Sequence, residues 1–135
     1  MLRLLLIMAM MLPASALADL EISDARIKNL PPGVPVRAGY MTLHNPAEHA
    51  VSILSIRGAD FSSIEIHRSV MRDGMMSMEA IELLSVPAGE SVQLEPGGYH
   101  LMMHPLEPTR PGQQVEIVLQ FDDGSEQKLV MTVIK

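Results

Sequence analysis

Cysteine and tryptophan are absent from this chain of 135 residues, and its aromatic side chains are only Tyr40, Phe61, Tyr99 and Phe121. Each absence removes a class of protein. Without cysteine there is no disulfide to staple a small exported domain and no thiolate zinc site. A blue-copper centre, which sets a Cys thiolate beside two histidines, is excluded, as is a thiolate-bridged dinuclear copper centre. No HExxH, GxSxG, phosphate-binding glycine loop or Cys/His pair occurs, so no residue set stands for an enzyme. Basic residues are in deficit: ten Lys and Arg stand against sixteen Asp and Glu, a formal net charge of −6. That balance argues against nucleic acid or anionic lipid as partner and suits a protein that meets cations.

The first eighteen residues, MLRLLLIMAMMLPASALA, have the layout of an export signal. Arg3 is the charged start, Leu4 to Leu12 the apolar stretch, and Ala16-Leu17-Ala18 a small-x-small cleavage site. The apolar run is short for a membrane span. Cleavage of residues 1–18 gives a mature domain of residues 19–135, with nine basic against sixteen acidic side chains. No cysteine follows the cleavage site to carry a lipid, so the expectation is a soluble exported protein with no membrane anchor. Its length fits one domain with a single modest core.

Period-two alternation recurs between turn residues, and no segment sustains a helical period. VEIVLQF puts Val115, Ile117, Leu119 and Phe121 on one face, and DDGS leads it back into KLVMTVI. YMTLHN (40–45) and VSILSI (51–56) read as another strand pair across PAEHA, and SVQLE and YHLMMH flank a PGG turn. Seven to nine short strands with proline and glycine at the joints predict an all-β fold, an antiparallel barrel or sandwich with Greek-key links.

What the mature chain has in abundance is methionine, with eight left after cleavage. A thioether can replace missing aromatics as flexible core filler or serve as a soft ligand. SIEIHRSV and MMSMEAIELL flank Asp73-Gly74, the favoured pair for a tight hairpin turn. With those two at the turn, Arg72 faces Met75, Met71 faces Met76, Ser69 faces Met78 and His67 faces Ala80. His67, Ser69, Met71, Met76 and Met78 then share one face with Glu65 and Glu82, while Ile64, Ile66, Val70 and Ile81 form the better core face. Methionines on a solvated face are not explained by packing.

In GGYHLMMH, His100, Met102 and His104 point one way, and Tyr99, Leu101 and Met103 form an apolar stripe the other way. Met41 and Met131 also fall in core patterns, His44 and His49 read as surface or loop residues, and Met71, Met75 and Met76 stay open between accessory ligand and docking surface. Neutral imidazole together with thioether matches a soft ion, and thioether sulfur selects copper(I) over zinc, magnesium or calcium. Such a site works without cysteine.

The spacing of His67, ten residues, Met78, twenty-one residues, then His100-Leu101-Met102 resembles the signature of the periplasmic copper chaperone family usually called PCuAC. AGYMTLHN (38–45), MRDGMMSM (71–78), VPAGE (86–90) and LEPGGYHLM (94–102) are similar to segments of that family. The resemblance implies a cupredoxin-like β-barrel that binds copper(I) near its surface through His67, Met78, His100 and Met102, without catalysis. It implies a periplasmic metallochaperone that helps deliver copper to cytochrome c oxidase, towards the dinuclear copper centre, with oxidase assembly factors as partners. His104 stands where relatives often carry a further methionine, which makes it an accessory candidate, as an extra ligand or a copper(II) ligand. A different reading of the same methionine face is an exported adhesion or assembly module that docks a protein partner there.

Overall fold

The structure is a computed structural model that describes residues 19–31 and 33–135. The expected signal segment, residues 1–18, lies outside the described residues. Ten strands follow in order: β1 (Glu21–Lys28), β2 (Arg37–His44), β3 (Val51–Arg57), β4 (Phe61–Arg72), β5 (Met75–Ile81), β6 (Leu84–Val86), β7 (Ser91–Leu94), β8 (Tyr99–Pro105), β9 (Gln114–Phe121) and β10 (Glu126–Ile134). Among the described residues there is no helix.

Seven strands close on themselves in the order β4, β8, β2, β1, β10, β9, β3, with Ile56 of β3 pairing Ile64 of β4 to complete the ring. Closure removes most of the unpaired strand edges that an open sheet would expose. β7 lies beside β2, and β5 and β6 are edge strands carried on β4 and β3.

The alternation read from sequence fills the barrel. Val115, Ile117, Leu119 and Phe121 of β9 are all buried, and they meet Met131 and Val133 of β10, Met41 and Leu43 of β2, and Leu101 and Met103 of β8. Each such side chain, fully buried, contributes about 1.5–3 kcal/mol of transfer free energy. Gly39 is needed where β2 crosses β8: a Cβ there would come within 2.9 Å of Met103 Sδ and 3.0 Å of Leu101 Cβ.

Four expectations need correction. Among the described residues the strands number ten, because β1 (Glu21–Lys28) and the short β6 are further elements. The barrel is mixed rather than antiparallel throughout, since β1 runs parallel to β10, and β7 meets β8 in parallel at Leu94 and Tyr99. β2 and β3 do not pair with each other: β2 lies against β1, β7 and β8, and β3 against β4, β6 and β9. The PAEHA connection crosses between walls because buried Asn45 ties it elsewhere, its Nδ2 donating to the carbonyls of His49 and Val86 and its backbone pairing with Gly89 and Glu90. The PGG turn likewise does not reverse the chain. β7 and β8 both run antiparallel to β2, as one strand interrupted by an extruded loop at 95–98.

Candidate metal centre

The β4–β5 hairpin folds as its turn chemistry dictates. Asp73 and Gly74 both have positive φ, 50° and 74°, as a two-residue primed turn requires. The resulting register pairs Met71 with Met76, Ser69 with Met78 and His67 with Ala80. β4 is longer than its other neighbour: it pairs with β8 only from Phe61 to Arg68, so the hairpin tip projects past the barrel. A bond from the Ser69 amide to the Gly98 carbonyl, 3.2 Å, fastens its base to the 95–98 loop.

The β4–β8 ladder then brings the two His/Met segments together. His67 lies directly opposite His100, with ring centroids 5.9 Å apart and planes tilted by 47°. Met102 lies opposite Glu65, and His104 opposite Ser63. Met78, His100 and Met102 line one cavity of about 230 Å³, walled also by Ala38, Tyr40, Ser69 and the loop residues Pro96 and Gly97. His67 adjoins the cavity through His100 rather than lining it. His104 continues the stripe outside this cavity. His44 and His49 are elsewhere: His44 Nδ1 sits 2.8 Å from Ser91 Oγ, and His49 is exposed in its loop.

Protonation at His67 follows from its partner. Its Nε2 is 2.7 Å from Glu65 Oε2, and a carboxylate only accepts, so Nε2 carries the hydrogen. In the neutral ring Nδ1 is left with a bare lone pair. That atom is buried and has no hydrogen-bond partner, in a side chain only 13% exposed. An unsatisfied buried group costs about 1–3 kcal/mol, so it marks a place where a partner is missing. His100 is buried too, and burial pushes its imidazole below the ordinary value, with His67 adding to the effect and the Gly98 carbonyl opposing it. The His100 ring is thereby biased towards the neutral, electron-donating form.

In the sequence, Glu65 reads only as a sign of solvation. Its spacing of two from His67 in a strand, which places both on one face, was the available signal for the hydrogen bond. Arg37 was missed altogether. The residue lines the cavity, and its guanidinium is pinned by Nε to Asn29 Oδ1 and Thr109 Oγ1, both 2.9 Å, and by Nη1 to the Val34 and Val36 carbonyls. Tyr40 lines the same wall, with the Arg26 guanidinium 5.2 Å from its ring centroid. Among the described residues, no group of three or more His, Cys, Asp or Glu side chains is disposed to hold a metal. Met78, His100 and Met102 line the cavity, and His67 lies beside it against His100.

Residues 20–133 match the family described as "Putative lipoprotein LpqE-like". The chain belongs to that LpqE-like family. "Putative lipoprotein Lxx21020" of Leifsonia xyli subsp. xyli is 31% identical to this LpqE-like chain over 133 residues, covering 93% of the chain and 79% of the relative. Two solved structures share the fold. The copper-bound PCuAC domain from PmoF2 superposes with a TM-score of 0.71 at 21% identity, over 88% of this chain and 95% of that domain. The solution structure of CuI-DR1885 from Deinococcus radiodurans superposes with a TM-score of 0.71 at 27% identity, over 90% of this chain and 82% of that one. The LpqE-like chain is thus an all-β, cupredoxin-like barrel.

Proposed function

We propose that this LpqE-like protein is a copper(I) metallochaperone that holds its cargo with His67, Met78, His100 and Met102. The observation that carries the reading is the buried, unpartnered His67 Nδ1, set against His100 at the edge of a cavity into which Met78 and Met102 are brought. Copper-bound PCuAC domains of the same fold lend it support. Two imidazoles and two thioethers form a neutral donor set that favours a soft ion. His104, on the same face, is the candidate for an added imidazole when copper(II) is bound.

The same geometry suits delivery rather than storage. Met78 is largely exposed on an edge strand, so an acceptor's ligands can approach from the hairpin side before the barrel-side donors let go. The protein acts by binding, without turnover, in the periplasm after removal of residues 1–18. Its acceptor is cytochrome c oxidase or an assembly factor of the dinuclear copper centre.

Anaerobic copper(I) titration against a chromophoric chelator tests the reading. One tightly bound copper(I) per chain is expected, and His67→Ala, Met78→Ala and Met102→Ala should each weaken its binding by about tenfold or more. Equal, weak binding by all four proteins would reject the site. For delivery, a strain lacking the protein should lose oxidase activity at low copper and regain it with the wild-type gene but not with Met102→Ala.

A further inference from the structure

The copper site uses one of the hairpin's four methionines, and strand parity separates the other three. Met71 is directly opposite Met76, on the same face as Ser69, Met78 and His67. Met75 is opposite Arg72, on the other face. Directly opposed residues bring their Cβ atoms to about 4.5–5.5 Å, and diagonal ones remain within reach of long side chains. Met78 stands two residues along β5 from Met76 and diagonal to Met71, so three flexible thioethers meet on one patch.

Packing does not account for them. Met71, Met76 and Met78 are 64%, 62% and 59% exposed at a tip that projects past the barrel. Charge is also sorted by face. Arg68 and Arg72 pair with Glu79 on the side away from the thioethers, so the ligand face of the hairpin carries no cation, and it does carry Glu65. A positive ion meets no repulsion there, while the sulfurs offer it soft, neutral donors.

We propose that Met71 and Met76, together with Met78, form an outer capture site for copper(I), from which the ion passes to the inner site through Met78. The passage rests on the inner-site reading given above; the outer site rests on the hairpin register alone. Met78 belongs to both donor sets, so transfer is a ligand exchange. The bonds to Met71 and Met76 sulfur break as bonds to His67, His100 and Met102 form, while the Met78 bond persists. Copper remains in the +1 state, and no proton or electron moves. A three-thioether patch has no oxygen or charged donor, so it does not hold zinc, magnesium or calcium.

The test uses silver(I), a redox-inert soft cation, titrated into protein labelled with ¹³C at the methionine methyl groups. Met78 and Met102 methyls should shift with the first equivalent and Met71 and Met76 methyls with the second, while Met75, still more exposed but on the wrong face, stays in place. In Met71→Leu/Met76→Leu, which keeps side-chain volume at exposed positions, the second step should vanish; Met75→Leu should retain both. The outer site is overturned if the Met71 and Met76 methyls stay still to several equivalents, or if Met75 moves as much as they do. Shifts at Met71 and Met76 without any at Met102 would reject the inner site and the passage, and leave the outer capture site standing.

Discussion

Met103 and Met78 are the same side chain put to opposite uses. Met103 is fully buried inside the barrel with Met41 and Met131, while Met78 is mostly exposed on an edge hairpin beside Met71, Met75 and Met76. Inside the barrel the thioether is an adaptable filler that compensates for the lack of aromatics. On the hairpin the same side chain is largely exposed and lines a cavity shared with His100 and Met102. Hydrophobicity does not separate the two groups. Parity does: Leu101 and Met103 point inward, and their alternate neighbours His100 and Met102 point to the cavity.

The strongest way to break this comparison is truncation. Met103→Ala should destabilise the barrel by about 2–5 kcal/mol in urea unfolding, because it leaves a cavity in a packed core. Met78→Ala should stay within about 0.5 kcal/mol of the parent, as an exposed substitution does, while losing copper(I) affinity. Equal destabilisation by the two would place Met78 in the core economy and undo the distinction.

A smaller effect sharpens the ligand side. Glu65→Ala removes the acceptor that orients the His67 ring and keeps hydrogen on Nε2. The expected loss is roughly 10–100-fold in copper(I) affinity with little change in unfolding midpoint. Unchanged affinity would mean that Nδ1 does not depend on that hydrogen bond.

The smallest effect is a pH dependence of the metal-free protein. Burial holds His100 below its ordinary value of 6.5. Above that value the imidazole is neutral in both folded and unfolded chains, and its contribution is fully present. As pH falls through 6.5 the unfolded chain takes up the proton first, so stability is lost until pH passes the depressed folded value. The urea midpoint should therefore drop on acidification in that window, and His100→Phe should flatten the drop. A midpoint that falls equally in both proteins would assign the acid sensitivity to other groups.

Local rules carried the sequence reading where the chain folds on itself. Asp73-Gly74 specified the turn, the turn specified the register, and the pairing of His67 with Ala80 and Ser69 with Met78 follows. The β9–β10 hairpin and the inward Met41, Met103 and Met131 were legible for the same reason. Non-local pairing was not. Nothing in the local pattern of YMTLHN-PAEHA-VSILSI says that its strands belong to different walls, because that depends on Asn45 meeting Val86 and Glu90 far along the chain. The direct opposition of His67 and His100, and Arg37 at the cavity, likewise depend on strands joined only in space.

The central claim is that His67, Met78, His100 and Met102 bind one copper(I) together. X-ray absorption at the copper edge of the loaded protein tests it most directly. A mixed shell of two imidazole nitrogens and two thioether sulfurs is expected, with one sulfur lost in Met78→Ala and one in Met102→Ala. A shell of nitrogen and oxygen only, or a sulfur count unchanged in both variants, would contradict it.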